Sequence, residues 1–170
     1  MLTLAILVGL LPAFVWLIFY LKEDTQAEPW IAVVVTFVAG IGSAILALGL
    51  QYLTRGHIGD GFALSGSMTW VAIAASIEEI SKFVVVFFFI RWSRYLDEPI
   101  DALIYPIIAA LGFATLENVA VAYTLISNAD VASAFQVITL RFFGATLIHT
   151  VAAATVGWWW AKTLLKYSVS

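Results

Sequence analysis

Cysteine is absent from this 170-residue chain. That excludes disulfides, thiolate metal sites and a cysteine nucleophile. Charge is scarce as well: 11% of the residues are Asp, Glu, Lys or Arg, against about 25% in a soluble domain. Too little polar surface remains to coat a globule in water. The net charge of −3 comes with no basic stripe, so nothing marks nucleic acid as a partner. Residues 1–21 lack a basic leading region and an A-x-A-like cleavage site. They read as a retained first span, not a signal peptide. Histidine is confined to His57 and His149, and no H-E-x-x-H occurs. There is no convincing internal repeat, low-complexity tract or soluble domain.

What is abundant is apolar. Hydrophobic residues make up 63% of the chain, and a membrane helix needs about 20 of them in a run. Candidate spans fall at 2–21, 30–53, 68–91, 102–126 and 133–161, separated by KEDTQAEP, TRGHIGDGFALSGS, RWSRYLDEPID and SNADVAS. Each separator carries turn or breaker residues. The expected fold is an all-α polytopic membrane bundle of about five transmembrane helices. It forms one transmembrane domain over residues 1–170, with two N-terminal spans in 1–66 and a motif-bearing core in 67–165. The glycine-rich stretch from Gly56 to Ser67 has the composition of a flexible or re-entrant loop.

Lys22, Arg91, Arg94, Lys162 and Lys166 fall on one side of this arrangement and Arg55 on the other. The positive-inside rule then puts the N-terminus outside and the C-terminus in the cytoplasm, in a cytoplasmic-type membrane. Trp16, Tyr20, Trp30, Trp92, Tyr95 and Trp158 to Trp160 sit near span ends, as an interfacial aromatic belt does.

Inside the spans lie ionisable residues: Glu78, Glu79 and Lys82 in the third, Glu117 with Asn118 in the fourth, Arg141 and His149 in the fifth. A charge at such depth is costly and survives mainly where it faces a polar cavity. Glu78 and Lys82, spaced i and i+4, can pair on one face, with Glu79 about 100° away. Two carboxylates sharing one lysine leave one unmatched, which suits a general base or acid. Glu117 lies on a helix whose inward face reads as Ala109, Gly112, Phe113, Leu116 and Ala120. Arg141 needs an anion, with Glu79, Glu117 and Asp101 as candidates. Asn118 can hydrogen-bond across helices and His149 is flanked by alanines. Glu78, Glu117 and Arg141 share a depth of roughly 15 Å, whereas His149 falls about 12 Å deeper on a straight helix. Either the last helix tilts or breaks near Gly144, or it starts later.

Glu-Glu-x-x-Lys at Glu78 to Lys82, the segment from Asp101 through Tyr105 to Gly-Phe-Ala-x-x-Glu-Asn at Gly112 to Asn118, then Arg141, His149 and Gly157 together resemble the PrsW family of intramembrane proteases. These are relatives of the CAAX-processing CPBP proteases. The resemblance covers about residues 70–160. Ala102 and Pro106 stand where the family's second motif is usually richer in glycine. The resemblance implies peptide-bond cleavage of membrane-anchored substrates of the anti-sigma-factor kind. By motif position it makes Glu78, Glu79, Glu117 and His149 the catalytic residues.

The preferred chemistry is of glutamic type, without a cofactor. Glu78 takes a proton from the attacking water and Glu117 positions that water or relays the proton. His149 and Asn118 stabilise the oxyanion. Lys82, Arg141 and Asp101 hold the charge state or the geometry. The alternative is a zinc peptidase with Glu78 or Glu79, Glu117 and His149 as ligands. Further rivals are a proton-coupled transporter, since carboxylates and histidines also build proton relays, and a scaffold that binds partner helices. The partners are the bilayer and a membrane-anchored protein. Oligomeric state is open.

Overall fold

A computed structural model describes residues 1–23, 28–58, 67–91 and 95–168. The chain is all-α: α1 Leu2–Glu23, α2 Trp30–Ile58, α3 Met68–Ile90, α4 Asp101–Ser127, α5 Val131–Phe143 and α6 Ala145–Ser168. Among the described residues four stretches are long and apolar enough to cross a membrane: Leu2–Glu23, Trp30–Arg55, Asp101–Ser127 and Val131–Leu165. The last takes in α5 and most of α6. Helix α3 differs in composition, because Glu78, Glu79 and Lys82 sit in its middle. Of the Gly56 to Ser67 stretch read as a flexible or re-entrant loop, residues 56–58 end α2 and Ser67 caps α3, while residues 59–66, like Trp92 and Arg94, lie outside the described residues.

Helix α4 is the axis of the bundle and packs against every other helix. Its first half is buried on nearly all sides, from Asp101 to Thr115. The expected single inward face is therefore too narrow, and Ala120 is exposed. The reason lies in the packing. Lipid offers no hydrophobic drive between helices, so close approach of backbones must supply the attraction. A Cβ at Gly112 would collide with the Phe37 carbonyl, and one at Gly40 with the Ala109 carbonyl. These two glycines let α2 and α4 touch backbone to backbone. The outer faces carry Leu7, Phe14, Val38, Leu48, Phe88 and Ile148, all exposed, as suits contact with acyl chains.

Ser67 caps α3 by accepting from the Trp70 N–H, and Asp130 caps α5 by accepting from the Ser133 N–H. The last span is interrupted at Gly144, whose φ and ψ are −100° and −98°. Of the sequence options for His149, a broken helix is the one found.

The aromatic belt holds only in part. Trp30, Trp158 and Trp159 are exposed. Trp160 is buried in the core with Ile90 and Tyr105, and Tyr95 packs against it. Trp16 and Tyr20 turn inward and hydrogen-bond to Phe142 and Thr150. Inward rotation gives their polar atoms partners, which a lipid face would not.

Candidate functional site

Helix α3 supplies Glu78, Glu79 and Lys82, α4 supplies Glu117 and Asn118, α5 supplies Arg141, and α6 supplies His149. Their side chains converge. Lys82 is 2% exposed and donates to Glu79, not to Glu78. The i, i+3 partner wins because Glu78 faces α2, where its Oε1 accepts from Gln51 Nε2 at 3.0 Å. The Lys82 ammonium also lies 2.9 Å from His149 Nδ1 and 4.5 Å from the centre of the Phe113 ring. An ammonium only donates, so Nδ1 accepts and the imidazole proton sits on Nε2. That nitrogen meets Glu117 Oε2 at 3.1 Å.

The same Glu117 oxygen accepts from the Arg141 guanidinium at 2.9 Å. Of the three anions expected for Arg141, Glu117 is the one it takes. Arg141 Nε donates to Asn118 Oδ1 at 2.5 Å, and Asn118 Nδ2 donates to Thr146 Oγ1 at 3.2 Å. Asn118 and Thr146 are both fully buried. The amide thus has both ends engaged in holding Arg141 to α6.

Glu79 has Lys82 and Glu117 has Arg141. Among the described residues no lysine or arginine pairs with Glu78, whose partner is the neutral Gln51. The cluster thus sets three carboxylates against two Lys/Arg cations, with His149 between them. Glu79 and Glu117 are 29% and 32% exposed at their side chains, so the site is open on one side.

Glu78, Glu117 and His149 each offer a ligand atom, and these atoms lie within 4.8 Å of one another. Carboxylate oxygens and an imidazole nitrogen are donor types that zinc takes, and three protein ligands leave a fourth position for water. The His149–Glu117 separation of 3.1 Å is close to the roughly 3.3 Å between neighbouring ligands of a tetrahedral zinc. The residues fit a divalent ion.

Asp101 stands apart. Its carboxylate accepts from the backbone N–H groups of Asp97 and Glu98 at 3.0 and 2.7 Å. It begins α4, about 24 Å along the axis from Glu117. An acid in a helix's first turn is a structural device, and Asp101 is not part of the cluster. Sequence reasoning missed Gln51 and Thr146. A lone amide in the apolar run of α2 was the signal for Gln51; a threonine beside a small-residue stretch gave none.

Residues 28–168 match the family described as PrsW family intramembrane metalloprotease. Protease PrsW of Geobacillus kaustophilus (strain HTA426) is 30% identical over 151 residues, 89% of this chain and 61% of the relative. Protease PrsW of Bacillus subtilis (strain 168) is 28% identical over 102 residues, 59% and 45% of the two chains. Protease PrsW of Clostridioides difficile (strain 630) is 24% identical over 158 residues, 92% and 64%. The chain thus spans between 45% and 64% of the length of these relatives. No solved structure matches it.

Proposed function

This chain belongs to the PrsW family and is an integral membrane protein, and from that premise we propose that it is a membrane-embedded peptidase of metal-dependent type. It cleaves a peptide bond of membrane-anchored proteins. The whole chain acts as one transmembrane domain of five crossings, α3 joining the four apolar stretches, with its N-terminus outside and its C-terminus in the cytoplasm. The observation that carries the proposal is the convergence of Glu78, Glu117 and His149, ligand atoms within 4.8 Å, around a carboxylate with no cation of its own.

Glu78, Glu117 and His149 would hold the ion. A bound zinc supplies a polarised water and an electrophile for the peptide carbonyl. Glu79 lies outside this set, beside His149, with Nδ1 3.7 Å from its Oε1. It takes the proton of the attacking water and returns it to the departing amine. Lys82 balances the charge of Glu79. Arg141 fixes the Glu117 carboxylate, and Asn118 fixes Arg141. Asn118 is thus a positioning residue here, not an oxyanion donor.

The glutamic reading keeps one observation in its favour. His149 with its proton on Nε2, donating to Glu117, is self-sufficient as it stands. Under that reading Glu78 is the base. Cleavage of a membrane-anchored reporter by purified protein in liposomes separates the two. The metal reading expects stringent chelation to abolish cleavage and zinc to restore it. Cleavage that survives chelation and is lost in Glu78→Gln selects the glutamic mechanism. No cleavage by the pure protein under any condition leaves the transporter or the scaffold.

A further inference from the structure

The break at Gly144 is fastened from outside the α5–α6 pair. Trp16 and Tyr20 are four residues apart on α1, hence on one face. Trp16 Nε1 donates to the Phe142 carbonyl at 3.1 Å. That carbonyl is in the last turn of α5, where helix ends leave acceptors without partners. The indole also stacks on the Phe142 ring, with centroids 5.3 Å apart and planes at 25°. On the far side of the break, Tyr20 Oη lies 3.2 Å from Thr150 Oγ1. Thr150 spends its own hydroxyl hydrogen on the Leu147 carbonyl at 2.8 Å, so Tyr20 is the donor.

These two contacts straddle Gly144, and the site depends on what lies between them. Arg141 is one residue before Phe142, and His149 one residue before Thr150. On an uninterrupted helix Arg141 and His149 stand about 12 Å apart along the axis. Here both reach the same oxygen of Glu117.

We propose that α1 is a clamp on the Gly144 break, with Trp16 and Tyr20 as positioning residues that set Arg141 and His149 on Glu117. The proposal rests on reading Glu117 and His149 as site residues. It assigns a role to a helix that precedes the family match, which begins at residue 28. An interfacial anchor turns its polar tip to headgroups and water, whereas here both tips are spent on Phe142 and Thr150. A clamp needs the indole N–H and the phenol O–H, so Trp16→Phe and Tyr20→Phe remove the clamp and keep the rings.

The chain lacks cysteine, so spin labels can be placed cleanly at Val131→Cys and Val151→Cys, both exposed. The full chain is reconstituted in lipid and the distance distribution is read by pulsed electron resonance. On an uninterrupted helix these positions lie about 30 Å apart. The clamp expects one narrow distribution with Trp16 and Tyr20 in place. In the double variant Trp16→Phe/Tyr20→Phe it should broaden or move toward the uninterrupted value. An unchanged narrow distribution overturns the proposal. Zinc alone, titrated into the unlabelled protein, supplies the second readout. The double variant should bind it about 10- to 100-fold more weakly, the cost typical of losing an outer supporting contact. Equal affinity despite an altered spin distance would sever the clamp from the site and overturn the proposal as well. If the parent chain binds no zinc, the metal reading fails, and the spin distance still decides the clamp.

Discussion

Replacing Asn118 with leucine keeps the branched shape and heavy-atom count, at a larger volume, and deletes both hydrogen bonds of the amide. Arg141 Nε then loses its acceptor, and the buried Thr146 hydroxyl loses its donor. In water-referenced proteins each orphaned buried group costs about 1–3 kcal/mol. In membranes the unfolded helices also find partners, and measured interhelical hydrogen bonds average about 0.6 kcal/mol with a maximum near 1.7. The membrane figure governs here, and Arg141 retains Glu117 and some access to solvent. The expected loss is about 1–3 kcal/mol for the two bonds together. Denaturant titration in mixed micelles measures it, with cleavage recorded on the same samples. Asn118→Asp can still accept from Arg141 and should recover most of the loss. The oxyanion role makes the opposite forecast, a leucine variant of normal stability with a slow rate. A change below about 0.5 kcal/mol, within the usual range for inconsequential substitutions, would refute the positioning argument.

Gly112→Val puts a side chain against the Phe37 carbonyl and should cost about 1–3 kcal/mol by overpacking, read from the same titration. Hydrogen bonds from Ser133 hold the Asp130 carboxyl below the usual range. A lowered folded pKa stabilises above the unfolded value of about 3.9 and loses that contribution as pH falls through the folded value. Amide exchange in the first turn of α5, corrected for intrinsic rates, should therefore lose protection only below about pH 4, and Asp130→Ala should flatten that dependence. A reporter fused after Ser170 should be active on the cytoplasmic side, and activity only outside would reverse the topology.

The parts of the fold and site visible in the sequence are those where burial is expensive. Charges inside apolar runs are costly enough to be informative singly, so Glu78, Glu79, Lys82, Glu117, Arg141 and His149 stood out, and they do converge. The mismatch in depth between Arg141 and His149 leaves a tilt, a break and a later start open, and the position of Gly144 between two helices selects the break. Neutral polar groups cost less and announce less. Gln51, Thr146, Trp16 and Tyr20 make their contacts through helix rotation, which periodicity in uniformly apolar spans does not fix. Lys82 illustrates the same limit. Spacing allowed Glu78 or Glu79, and only the position of α2, with Gln51 on it, decides between them. Asp101 enters the sequence reading as the head of a family-like segment and a candidate anion for Arg141, but its carboxylate bonds at the start of α4.

The central claim is that Glu78, Glu117 and His149 share one ion. The protonation of His149 tests it directly, because the chain has only one other histidine, His57. An imidazole that ligates through Nε2 must carry its proton on Nδ1. Nitrogen-15 spectra of histidine-labelled protein in lipid, with and without zinc, report both atoms. Zinc should strip the proton from Nε2 of His149 and place it on Nδ1, which requires the Lys82 ammonium, now 2.9 Å away, to turn aside and leave Glu79 as the acceptor, and Glu117→Gln should weaken the response. A His149 that keeps its Nε2 proton in zinc-saturated, cleaving protein would contradict the claim.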